Sequence, residues 1–408
     1  MGCKPVSVGD GSVKSMKILH TSDWHIGRTF HTHPTLEHLD LVLTALVQVV
    51  RDRQVDVVAV SGDIFDSAMP SRESYAVLTH ALREIKAAGA VVVMTSGNHD
   101  SAARLGFQSE WTSLAGIHVI TRHDQYREPV TVTDEFGPVH FYGIPYLEPV
   151  LIRHFHPDVE LRTHEQVLGF AMDQIRADMA QRGGRSVVLA HCFAAGVAAA
   201  AEASVVERDI TAGGLDVVPL GVFDGPDYVA LGHIHGRARL SERVRYSGAP
   251  LHYSFAEAGK PRGAWLVQLD AESDEGASPA AVEWIDLPVP RRLSVLEGAL
   301  EELLTDDRYT EREQDWVKAI LTDQVRPLDG MRALQERFPH CVTLEHRPTI
   351  VATPDSASYA ERVGSAVSDP EIVAGFLSFV RNGVGPSGFE TALIAELLTE
   401  QGLAQAQA

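Results

Sequence analysis

Short β-branched and apolar runs alternate along the chain with longer stretches whose apolar positions recur at helical spacing. From Met16 the order is KILHTSD, a helical stretch at 36–54, VDVVAVSGD, a second helical stretch at 71–88, and AVVVMTSGNHD. This pattern predicts a β-α-β-α-β succession. Further apolar runs end in polar residues at SVVLAHC (186–192) and YVALGHIH (228–235), followed by strand-like RVRYSG and GAWLVQLD. The expected fold class is therefore α/β, with two packed mixed β-sheets flanked by helices. Each run places its polar cluster at its C-terminal end, where open α/β sheets gather ligands.

Beyond this core the patterning weakens. Residues 271–290 are rich in Glu, Ser, Gly, Ala and Pro and read as a surface excursion and exit, so the main domain spans 16–290. A helical stretch near 294–304, the apolar VKAIL, a helix near 328–337 and CVTLEH predict a small α+β unit over 291–350. Residues 351–408 read as a linker and helical tail. Asp369 is the expected N-cap, with Pro370 at the first helical position, and Ser387 with Glu390 forms a capping box. Ile372, Val373, Phe376, Leu377 and Val380, then Phe389, Leu393, Ile394, Leu397 and Leu398, recur at helical spacing on either side of NGVGPSG. Such stripes either pack on the chain's own core or lie in a partner's groove. Residues 1–15 are polar and Gly/Ser-rich and read as a disordered extension, with Val6 where a myristoylation motif wants Ser or Thr. The Ala-rich stretch at 193–209 reads as a loop or short helix without chemistry of its own.

Composition narrows the class. The 408 residues, 45% hydrophobic and 22% charged, suffice for a large domain with appendages, and no apolar stretch is long enough to span a bilayer. Cys3, Cys192 and Cys341 are scattered with no CxxC pair, which suits a reducing cytoplasm. A formal net charge of −20 opposes holding nucleic acid by global electrostatics. The acidity is local, however: residues 270–315 set many Asp and Glu against four Arg, whereas 237–262 are rich in Arg and Lys.

The candidate chemistry lies at the strand ends. Asp23 and His25 follow the first run, Asp63 and Asp66 the second, and Asn98, His99 and Asp100 the third. His191 ends the fourth run, and His233 and His235 the fifth. Any one of these residues is an ordinary turn or cap residue. Five clusters in order supply oxygen and imidazole ligands enough for two divalent cations. Asp66 and Asp100 either orient ligands or cap the loops. Arg237, Arg239, Arg243 and Arg245 either grip phosphates near the site or line a solvated strand edge.

KILHTSDWHIG, GDIFD, GNHD and GHIH resemble the motifs of calcineurin-like metallophosphoesterases. With YSGAPLHYSFAEAGKPRGAW and the tail, they resemble more narrowly the nuclease subunits of bacterial SbcCD-type repair complexes. The resemblance implies that Asp23, His25, Asp63 and His235 hold one metal, and Asp63, Asn98, His191 and His233 the other, with Asp63 bridging. It implies that His99 is no ligand but supports the leaving oxygen. Manganese is the family's usual ion, while magnesium, iron and zinc stay open. The implied activity is a double-strand 3′–5′ exonuclease and a single-strand or hairpin endonuclease in DNA repair, recombination and replication. Its implied partner is an SbcC ATPase, met by a nuclease homodimer within a cytoplasmic heterotetramer. Residues 291–350 would be the capping domain, and the tail would bind SbcC. A calcineurin-like protein phosphatase or nucleotide phosphodiesterase, and an idle subunit bridging an ATPase to DNA, are the rival readings. The protein-phosphatase pattern has Arg after its second motif and Glu in its third, where this chain has Ser67 and GNHD.

Overall fold

The computed structural model describes residues 15–194, 217–270, 281–349, 368–381 and 383–406. The chain divides into two units, Met1–Pro290 and Arg291–Ala408. In the first, the chain lays down four parallel strands, β1 (Met16–Thr21), β2 (Val57–Ser61), β3 (Val91–Thr95) and β4 (Ile117–Ile120). It then crosses to a second sheet with β5 (Val130–Asp134), β6 (Gly137–Ile144), β7 (Arg185–His191), β8 (Tyr228–Gly232), β9 (Ala238–Arg239) and β10 (Val244–Tyr246). It returns to the first sheet as β11 (Gly263–Leu269), antiparallel to β1, and β12 (Ala281–Asp286). The strand orders are β12-β11-β1-β2-β3-β4 and β9-β10-β8-β7-β6-β5.

Side-chain alternation explains why the central strands read as unbroken apolar runs. Ile18, Ala59 and Val93 of the first sheet meet Phe141, Val187 and Leu189 of the second in one buried layer. Their neighbours Leu19, Val58 and Met94 turn the other way, under α1 (Leu36–Arg53) and α2 (Arg72–Ala87). Val188 and Leu231 turn outward under α3 (His164–Arg182). Strands covered on both faces have no polar side to show. Helix starts are set locally: Ser71 caps α2, and Thr163 with Gln166 forms a capping box on α3.

Three readings of the sequence are corrected. The excursion at 271–290 contains β12, an edge strand whose alternating AVEWID is hidden in Ala- and Glu-rich surroundings; residues 271–280 lie outside the described residues. The helical stretch near 294–304 is a strand, Leu293–Gly298, followed by a helix, Leu300–Thr305. Parallel pairing with Trp316–Leu321 overrides the helical preference of Leu and Glu there. The tail helix Asp369–Val380 is capped one residue earlier than expected, by Ser368 boxed with Glu371. The hairpin of β5 and β6 was not read from the sequence. Most of the 193–209 stretch, and residues 1–14, lie outside the described residues.

The second unit contains a three-stranded parallel sheet, Leu293–Gly298, Trp316–Leu321 and Cys341–His346. Leu303 and, from the helix Gly330–Arg337, Leu334 are buried in its core with Val317. The helices Asp369–Val380 and Gly388–Ala406 pack on each other, tied by Arg381 and Glu390 at 2.8 Å, and the Ser387–Glu390 box forms. No helix among the described residues is long and apolar enough to cross a membrane.

Candidate metal centre

The loops leaving β1, β2, β3, β7 and β8 at their C-terminal ends bring Asp23, His25, Asp63, Asn98, His99, His191, His233 and His235 together. Backbone hydrogen bonds lace the first two loops: Asp23 N–H donates to Gly62 O at 3.1 Å, and His25 N–H to Asp63 O at 3.0 Å. Asp23, His25, Asp63 and His233 have φ of 54°, 44°, 49° and 107°. They are four of the nine non-glycine residues with positive φ among those described. Such backbone costs energy and persists where its surroundings enforce it, typically at functional sites. Two glycines make room. A Cβ on Gly62, itself at φ 82°, would overlap the His191 ring, and one on Gly97 would overlap the Asp63 carboxylate.

The donor atoms converge on two overlapping centres. In one, Asp23, His25 and His235 lie together, with His25 Nε2 and His235 Nε2 3.1 Å apart and His25 Nε2 3.6 Å from Asp63 Oδ2. In the other, His191 Nε2 lies 3.3 Å from Asp63 Oδ2 and 3.0 Å from Asn98 Oδ1, which is 3.2 Å from His233 Nδ1. Asp63 faces both. His191 Nδ1–H donates to Ser61 O at 2.9 Å, which turns Nε2 to the site. His99 stands at the rim with its side chain 35% exposed. Its Nδ1–H donates to Asp66 O at 3.0 Å, and its backbone N–H donates to Asp63 Oδ1 at 2.9 Å.

The electrostatics fit a cation. Asp23 and Asp63 are buried, and neither meets a Lys or Arg among the described residues. Burial raises the Asp23 carboxyl to about 6 against the pull of His191 and His235. Burial also lowers His25 to about 4 and His233 to about 3, so both present neutral, lone-pair-bearing rings at neutral pH. At His191 burial pulls downward, but the Asp63 carboxylate prevails and holds the imidazole up to about 9. Burial opposes the ionised form of Asp63, yet His191 and then His25 keep it well below its ordinary range. A proton on His191 thus balances Asp63 where a divalent cation would displace it.

Behind these groups stand residues that set their direction. Asp66 Oδ1 lies 3.3 Å from His25 Nδ1 and 3.4 Å from Arg28, whose guanidinium also covers the Tyr253 ring at 4.7 Å. Asp100 accepts backbone N–H groups from Ile64, Phe65 and Gly97 at 2.9–3.0 Å, which makes it the clasp of the Asp63 loop. His235 Nδ1 lies 3.6 Å from Glu257, which is paired with the buried Arg262. Arg262 also donates to the His235 carbonyl. Glu257, Arg262, Arg28 and Tyr253 were not singled out from the sequence. The SFAEAGKPR segment was the signal for the first two.

The arginines after GHIH separate. Arg245 is 6% exposed, stacks on Trp265 at 5.3 Å and donates to the Glu242 carbonyl at 2.6 Å, so its charge is spent between the sheets rather than offered to a strand. Arg237 and Arg239 are exposed, the first over Trp284 at 4.8 Å and the second 3.2 Å from Glu242, while Arg243 is half-buried.

The calcineurin-like phosphoesterase family model matches residues 16–237, which include every one of these candidate ligands. The chain belongs to the calcineurin-like phosphoesterase family. A second model, SbcD_C, described as a type 5 capsule protein repressor C-terminal domain, matches residues 289–370. Similar solved structures include TT1561 of Thermus thermophilus, 14% identical over 63% of this chain and 95% of that one, TM-score 0.36. GAP50, the anchor in the inner membrane complex of Plasmodium, is 11% identical over 82% and 98%, TM-score 0.40. A dimetal phosphatase from Danio rerio is 14% identical over 67% and 99%, TM-score 0.38. Family membership and the Asp/His cluster together make this a metal-dependent phosphoesterase.

Proposed function

We propose that this phosphoesterase is a DNA nuclease that uses two divalent cations, manganese first among them, and works with an SbcC-type ATPase in DNA repair. The observation that carries the hydrolytic part is the pair of buried carboxylates, Asp23 and Asp63, set among imidazoles with no Lys or Arg beside them among the described residues. The SbcD_C match over residues 289–370 supports the narrower nuclease reading. Asp23, His25, Asp63 and His235 would hold one cation, and Asp63, Asn98, His191 and His233 the other. When bound, such cations supply positive charge for the phosphoryl oxygens and acidify the attacking water.

The chain's own groups do the rest. The bond from Nδ1–H to the Asp66 carbonyl fixes the His99 ring, so Nε2 is the atom free to meet the leaving oxygen. Arg28, 19% exposed beside the cluster, is placed to attract a phosphate. Arg237 and Arg239 are retained as strand contacts, and Arg245 is not. The idle-subunit reading is disfavoured because no ligand position has lost its donor.

For partners, Phe107, Trp111 and Leu114 are 73%, 73% and 81% exposed, which supports pairing of two copies of the chain. The tail helices expose Phe376, Phe379, Phe389 and Leu397, which supports docking on an ATPase coiled coil. The direct test is manganese-dependent release of nucleotides from linear duplex DNA, with the ATPase partner and ATP present in parallel reactions. Asp63→Asn should abolish cutting, and His99→Ala should reduce it by about 10²–10⁴ while metal stays bound. Brisk hydrolysis of a small diester with no cutting of DNA in either reaction would move the substrate to nucleotides or other small molecules.

A further inference from the structure

Beside the metal centre, over the ends of β3, β4 and β6, lies an open cavity of about 660 Å³. Its volume falls in the range of small-molecule sites, about 300–1,000 Å³. Asn98 belongs to both places: it lines the cavity, and its Oδ1 lies 3.0 Å from His191 Nε2. Tyr146, also in the wall, has its ring 6.4 Å from that of His191. A group in the cavity would therefore sit directly against whatever occupies the cluster.

The walls indicate which group. His123 and Phe155 stack in parallel, centroids 3.9 Å apart at 20°, and Phe155 is 57% exposed. His123 Nδ1 is buried without a hydrogen-bond partner. The one Lys or Arg side chain of the lining, Arg122, is taken by Asp124 at 3.2 Å, and Glu148 adds a further negative charge. An acidic rim repels a second phosphate. Aromatic walls with an open ring face suit a flat, uncharged ring, and stacking of this kind tolerates every base.

We propose that this cavity receives the base of the nucleotide attached to the scissile phosphate, so that aromatic stacking against Phe155 places the phosphate at Asn98 and the metal centre. The inference rests on the nuclease reading. It explains how a chain of net charge −20 holds a nucleotide at its site, since stacking does not depend on the global field.

The test compares two esters with the same leaving group, thymidine 5′-(p-nitrophenyl phosphate) and methyl p-nitrophenyl phosphate, on the manganese-loaded full chain. Phe155→Ala should lower kcat/KM for the nucleoside ester about tenfold relative to the methyl ester, and Phe155→Trp should restore the ratio. Calorimetric titration with thymidine 5′-monophosphate and, separately, inorganic phosphate gives a readout without turnover. Phe155→Ala should weaken the first about tenfold more than the second. An unchanged ratio in both measurements, with DNA still cut, overturns the cavity proposal and leaves the nuclease reading intact. A wild type that cleaves the methyl ester but neither the nucleoside ester nor DNA overturns both.

Discussion

Strand β7 begins on Arg185 and ends on His191, about 20 Å apart at strand rise, and its two ends solve the problem of buried charge in opposite ways. At the start, Arg185 and Asp134 are 2% and 10% exposed and paired. Arg185 also donates to the Leu269 and Gly137 carbonyls at 3.0 and 2.9 Å, while Asp134 accepts from Met16 N–H and Phe136 N–H at 2.8 and 2.9 Å. Both sheets are tied by a group whose hydrogen bonds are made within the chain. At the end, Asp23 and Asp63 are as deeply buried but meet imidazoles, on backbone held at positive φ. One end is closed by its own cation; the other is built for one supplied from outside. Burial of charge alone does not mark a site, and buried carboxylates that meet imidazoles and no Lys or Arg among the described residues do.

The largest effect expected from this contrast is at the closed end. Asp134→Asn leaves Arg185 buried and unneutralised, and should cost about 3 kcal/mol of stability in urea unfolding while leaving metal affinity unchanged. A loss under 1 kcal/mol would show that the staple contributes nothing net and that the two ends differ less than their geometry suggests.

The open end was the more legible in sequence, for a physical reason. Metal ligands must leave strands at their C-terminal ends, so Asp63 and His233 arrive beside glycines in short, recognisable clusters. Arg185 and Asp134 belong to separate strands, 51 residues apart, and nothing local to either announces the pair. Arg245 misled for the same reason: RVRYSG shows an alternation, but which face meets Trp265 is decided only when the sheets stack. Glu257, Arg262 and Phe155 lie in irregular segments without periodicity, and only the fold brings them to the site. The strand Leu293–Gly298 was read as helix because its pairing partner lies downstream.

Next in size is the response to metal. In the stripped chain Asp63→Asn should lower stability at neutral pH, because it removes the carboxylate that the proton on His191 balances. Manganese at a hundredfold excess over its dissociation constant should stabilise the wild type by about 2.7 kcal/mol and the variant by much less. Thermal unfolding with and without chelator checks this, and equal gains in both proteins would remove Asp63 from the metal centre. Glu257→Gln tests the support behind His235 and should weaken manganese binding tenfold to a hundredfold, about 1.4–2.7 kcal/mol. A change in unfolding free energy with no change in affinity would make the Glu257–Arg262 pair a structural brace only.

The smallest effect is acid dependence at the closed end. Burial works against the ionised Asp134, but Arg185 outweighs it and holds the carboxyl below its ordinary 3.8. A carboxylate with a depressed folded value contributes stability that is fully present above its unfolded value and is lost as pH falls through the folded one. The wild-type advantage over Asp134→Asn should therefore be constant from pH 7 to 5, then shrink below pH 4 by at most about 1.4 kcal/mol per pH unit, the limit for one proton. Urea unfolding of both proteins in chelator at pH 5 and pH 3 measures it, and subtracting the variant cancels the titration of Asp23, Asp63 and the histidines, which both share. A gap of the same size at both pH values would mean that Asp134 takes up its proton alike in the folded and unfolded chain, so that Arg185 does not hold the carboxyl down. A gap that widens in acid would reverse the sign and assign the stability of this end to contacts other than the ion pair.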